Sequence, residues 1–106
     1  MEVNSVVIVS LTAPKEKVWG QLQMLGSAGV TVRGINLESF DDFLRQVVEE
    51  MNEASDGLTT MFFPMHRVER IALDEPSGNL PSLAERFWAK VGTTLEEYIR
   101  VSSGKP

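Results

Sequence analysis

The only histidine of the chain, His66, stands in the stretch TMFFPMHRVERIALDE, between an apolar run and Arg67 and Arg70. An imidazole changes charge near neutral pH, so it can act as a general base, a metal ligand or a binding group. No Ser, Cys or Asp stands beside His66 in a nucleophile context. A lone histidine makes no metal site unless carboxylates supply every other ligand, and no catalytic or cofactor role is assigned to any residue. The carboxylates gather in residues 37–56, which hold Glu38, Asp41, Asp42, Glu49, Glu50, Glu53 and Asp56 against Arg45 alone. They lack the spacing and central glycine of a calcium loop, and read as the solvated face of an amphipathic helix. Glycine-rich phosphate loops, GxSxG and HExxH are all missing. No metal or cofactor is therefore expected.

Aromatic residues offer contact chemistry instead. Trp19 lies on the polar side of its strand, beside Lys17 and Gln21, and Trp88 follows Phe87 in a helical pattern. With Phe43 of the acidic helix they are the candidate interaction surface. Cover by the C-terminal helix is the simpler expectation for Trp19. Phe62 and Phe63 are adjacent in a strand, so one faces the core and the other the opposite side.

The elements that position these residues follow from periodicity. Val3–Thr12 reads as a strand buried on both faces, Lys17–Leu25 as an alternating strand and Val30–Asn36 as a third. In the second strand Val18, Leu22 and Met24 share one side with Gly20. At Ser39, expected to cap a helix with Asp42 three residues on, the period changes. Phe40, Phe43, Leu44, Val47, Val48 and Met51 then recur at helical spacing, predicting a helix from Phe40 to Met51–Glu53. Leu58–Phe63 and Val68–Leu73 return to the strand pattern. Residues 81–100 follow as a helical segment, with Leu83, Phe87 and Val91 before Gly92 and a short turn opened by Thr94.

The 106 residues make one domain: 1–36 with strands one to three, 37–56 with the inserted acidic helix, 57–75 with strands four and five, and 81–100 helical. Cysteine is absent, which excludes disulfides and suits a reducing cytoplasm. No apolar run reaches membrane-spanning length, and the N-terminal MEVNSVVIVSLTA reads as a strand and not a signal peptide. No membrane contact is expected. The net charge of −5 resides in residues 37–56, and no basic cluster is present to hold a phosphate backbone.

Five short strands joined by tight turns suit a small, partly open barrel. The pattern of Val7, Val9 and Leu11, then Gly20 and Leu22, then Gly29, Val30, Val32 and Gly34, then Phe62, Phe63, Pro64, His66, Val68 and Ile71 resembles the Sm-like proteins. The likeness covers about half of the chain, in two blocks; the acidic helix falls where that family varies its fourth loop. It implies a β-rich α+β fold. A strongly bent five-stranded antiparallel SH3-like barrel would carry an inserted helix between strands three and four and a C-terminal helical segment. It also implies a homo-oligomer in which strand four of one subunit meets strand five of the next. His66 falls on a histidine that in the bacterial Sm-like RNA chaperone faces RNA, which makes His66 and Arg67 the RNA-binding candidates. Met65 stands where that chaperone has lysine, and no helix precedes strand one.

The leading expectation is thus a non-catalytic barrel module that associates with itself or docks another protein. An Sm-type RNA binder with a modified site is the alternative. A small-ligand binder or enzyme with a pocket under the inserted helix is the third reading.

Overall fold

The computed structural model describes residues 1–49 and 57–103. Five strands, β1 (Val6–Leu11), β2 (Glu16–Leu25), β3 (Gly29–Asn36), β4 (Thr59–Pro64) and β5 (Val68–Leu73), form one antiparallel sheet. Its order is β4-β3-β2-β1-β5. Three helices complete a compact α+β fold: α1 (Phe40–Glu49), α2 (Leu83–Val91) and α3 (Leu95–Ser103). The helix between β3 and β4, the five-stranded antiparallel sheet and the C-terminal helical segment all agree with the sequence pattern. The sheet is not closed, since β4 and β5 form no ladder with each other.

The two edge strands are nevertheless consecutive, joined by one 3₁₀ turn, Met65–Arg67. Four strand spacings of about 4.8 Å would set the edges of a flat sheet about 19 Å apart. The four steps from Pro64 to Val68 span at most about 14 Å. The sheet therefore has to curl. Gly20 and Gly34, directly paired across β2 and β3, permit close approach inside the curl. A Cβ built on Gly34 would lie 2.0 Å from the Trp19 carbonyl oxygen and 2.7 Å from the Gly20 Cα.

Curling gives the sheet an inner and an outer face. Val7, Val9, Leu11, Val18, Leu22, Val30, Val32 and Phe63 fill the inner one. On the outer face, Trp19 and Ile35 pack under Phe40, Phe43, Leu44 and Val47 of α1, Phe87 of α2, and Leu95 and Ile99 of α3. Burial on both sides explains the unbroken apolar run of β1: Val7 and Val9 face inward while Val6 and Ile8 pack against the helices.

Strand ends differ from the periodic reading by a residue or a few, most at the start of β1, and β5 matches it. Three corrections concern detail. Met24 does not share the side of Val18 and Leu22, because an irregularity between Leu22 and Met24 shifts the register. Such a bulge moves every later side chain to the opposite face. Ser39 is not the helix cap: it ends a 3₁₀ turn, Leu37–Ser39, whose N-cap Asn36 accepts a bond from the Glu38 N–H at 3.0 Å. The segment opened by Thr94 is a nine-residue helix and not a short turn. The predicted end of the acidic helix, Met51–Glu53, lies outside the described residues. Before α2, Ser82 and Glu85 form a complete capping box, and Gly92 ends the helix at φ 89°. No helix among the described residues is long and apolar enough to cross a membrane.

Candidate functional site

Trp19 is fully buried, so it is not a contact surface. Its ring meets Phe40 edge-on at 4.9 Å between centroids, and Phe87 lies 6.2 Å away. Cover by the C-terminal helix, the simpler expectation, is what the structure has, with α1 added. A buried indole needs an acceptor for its N–H. Asp74, just after β5, supplies it at 2.9 Å. The same carboxylate accepts the backbone N–H groups of Leu83 (2.9 Å) and Ala84 (2.7 Å). These are among the unpaired donors that open α2, and their dipole favours an anion there. One side chain thus joins β5, β2 and α2. Asp74 is absent from the candidates that the residue types and spacing offer. Its partners stand 55 and 9 or 10 positions away, so no local pattern announces it.

Phe43 is also buried, stacked on Phe87 at 5.9 Å. It is core and not interaction surface. Leu44 and Val47 join it, while Val48, expected in the same stripe, is exposed. Trp88 faces away from that core and is exposed, so of the three aromatic candidates it alone offers a surface.

His66 sits where the sequence predicts, in the turn between β4 and β5. It is exposed. It makes no hydrogen bond or ion pair among the described residues. Arg67 is engaged instead. Its Nε donates to the Thr12 carbonyl and an Nη to that of Pro14, each at 3.0 Å, and Glu16 lies 3.7 Å away. These bonds strap the corner to the β1–β2 turn, so His66 and Arg67, adjacent in sequence, do not converge on one empty site.

The helices cover only one end of the outer face. Beyond the row Trp19–Ile35 comes Gln21–Arg33–Thr60, then Met24–Thr31–Phe62. Arg33 donates to the Thr60 hydroxyl at 3.2 Å. In the last row Met24 is 61% exposed and Phe62 54%. The Phe62 ring lies directly over Gly29, where a Cβ would come within 2.6 Å of it. Phe63, its neighbour, points into the inner core. Sequence alternation separated the two phenylalanines correctly. It could not find Met24, because the bulge that turns it outward leaves no mark in the residue types.

Grooves lie elsewhere. One of about 390 Å³ runs under α1, between Asp42, Phe43 and Gln46 and the strand residues Gly34, Thr59 and Met61. Another of about 460 Å³ runs between α1 and α2, with Arg45, Arg86, Lys90, Asp41 and Glu49 around Leu44 and Val48. Arg86 and Asp41 form an ion pair there at 2.6 Å. Among the described residues no three His, Asp or Glu side chains gather as metal ligands would. No protein-family profile, curated protein or solved structure matches the chain.

Proposed function

We propose that this chain is a non-catalytic, SH3-like small-barrel module that acts by protein–protein contact, associating with itself or docking another protein. The observation that carries this reading is the uncovered apolar row of the outer face. Met24 on β2 and Phe62 on the edge strand β4 project from the same face on either side of Thr31, each more than half exposed. Exposed apolar groups of this kind, rimmed by polar residues such as Gln23, Thr31 and Thr60, mark interaction surfaces. The barrel reading rests on the strand order, on the 3₁₀ turn between the two edges, and on the glycine pair inside the curl. The RNA-binding alternative has less behind it. Of its two residues, Arg67 already serves two carbonyls and Glu16.

Light scattering over a wide concentration range tests the reading on the wild type and on Met24→Ser/Phe62→Ser. The wild-type mass is expected to rise above 11.8 kDa with concentration. The variant is expected to stay monomeric with an unchanged melting temperature, because both side chains already face water in the monomer. A variant that associates like the wild type would remove this face from the reading.

A further inference from the structure

β4 ends the sheet, so among the described residues one of its sides pairs with no strand. The Met65 N–H bonds to the Ala28 carbonyl at 2.9 Å, which sets the alternation along the ladder. The N–H groups of Met61 and Phe63 turn toward β3, and those of Thr60 and Phe62 turn away. Pro64 has no N–H, so the outward ladder stops there. None of the six residues of β4 is charged, whereas the opposite edge, β5, carries Glu69 and Arg70. Charges on edge strands normally discourage pairing. β4 lacks them.

We infer that β4 is the contact between two copies of this chain, paired antiparallel about a two-fold axis through Met61. This deepens the interaction-module reading and rests on it. In this register Thr60 of each copy stands opposite Phe62 of the other. The outward N–H and C=O groups of both residues are then met, in four hydrogen bonds. A shift toward Pro64 would set Thr60 carbonyls against a residue with no donor. The outer faces join, and the row Met24–Thr31–Phe62 of one copy continues as Thr60–Arg33–Gln21 of the other.

Charge favours this edge. The chain carries −5, yet the only charged side chain in the two outer rows is Arg33. The pairing sets each Arg33, held at Thr60, beside Phe62 of the second copy, where a cation favours an aromatic face. The two arginines lie about 16 Å apart by strand spacing, beyond the screening length of about 8 Å. Within these two rows a like-charged copy thus meets no carboxylate.

Sedimentation equilibrium and cross-linking decide the matter. The wild type is expected to form a dimer of about twice the 11.8 kDa chain mass. Phe62→Lys sets a charge at both symmetric contacts. It should weaken the dimer by about tenfold or more while the far-UV spectrum is unchanged. Leu73→Lys, on the β5 edge, should leave the dimer intact. Met61→Cys, in a chain with no other cysteine, should give a covalent dimer under copper–phenanthroline. A head-to-tail contact cannot bring residue 61 beside itself, and this variant decides if Phe62→Lys fails to fold. A wild type that stays monomeric overturns the pairing and leaves only docking of a different protein. An oligomer that resists Phe62→Lys and gives no cross-link overturns the β4 contact while self-association stands. Dissociation by Leu73→Lys overturns it too, in favour of a β4–β5 contact.

Discussion

At the scale of single residues, Asp74 matters more than the histidine that first draws notice. Its carboxylate holds an indole N–H and two helix N–H groups, and each of these donors loses its partner if the side chain is cut back. A lost helix cap costs about 1 kcal/mol, and a lost bond to a charged group about 1.5–3 kcal/mol. Asp74→Ala should therefore cost about 3 kcal/mol in urea unfolding, and the NMR resonance of the Trp19 indole proton should shift. Asp74→Asn should recover part of this, since one amide oxygen cannot serve all three donors. His66 is the contrast. Exposed and without a bond among the described residues, it should tolerate His66→Ala with a stability change within about 0.5 kcal/mol. A loss well above that in the same experiment would reveal a partner for the imidazole.

At the scale of elements, α1 shows how a helical stripe becomes a roof. Phe40, Phe43, Leu44 and Val47 close over Trp19 and Ile35, and Phe87 arrives from α2. Phe43 touches three other rings, those of Trp19, Phe87 and Tyr98. Phe43→Ala should cost about 3–5 kcal/mol, read from thermal or urea melts, because the rigid sheet below cannot collapse into the space. Val48, at the border of the same stripe, is exposed, and Val48→Ala should cost well under 1 kcal/mol. The pair separates the buried face of α1 from its rim.

At the scale of the whole molecule, the sheet has two faces to cover and one chain to cover them. The inner face closes on itself by curling; the outer face depends on helices that come both between β3 and β4 and after β5. Removing residues 82–106 should uncover Trp19, Phe40 and Phe43 and take away the donors that Asp74 holds. The truncated chain should bind a hydrophobic dye and lose its cooperative melt. A truncated protein with a sharp transition near that of the full chain would show that α1 alone suffices as cover.

The order of elements was legible in the residues themselves. An unbroken run of Val and Ile marks β1, Val30 and Val32 at period two mark β3, and the apolar positions from Phe40 at period 3.6 mark α1. Both periods are local consequences of how side chains leave a strand or a helix. The split of Phe62 from Phe63 followed from the same alternation. What the chain does with those elements was not local. Trp19, flanked by Lys17 and Gln21, looks like a surface residue, and only the arrival of α1 and α2 makes it core. Met24 belongs by alternation with Leu22, and only the register slip against β3 turns it to water. Asp74 becomes a helix cap through a bond to an element nine residues further on. Periodicity reports which faces of a segment are apolar. Which neighbour covers each face, and which face stays bare, depends on contacts between distant residues, and those exist only once the sheet has curled and the helices have closed over it.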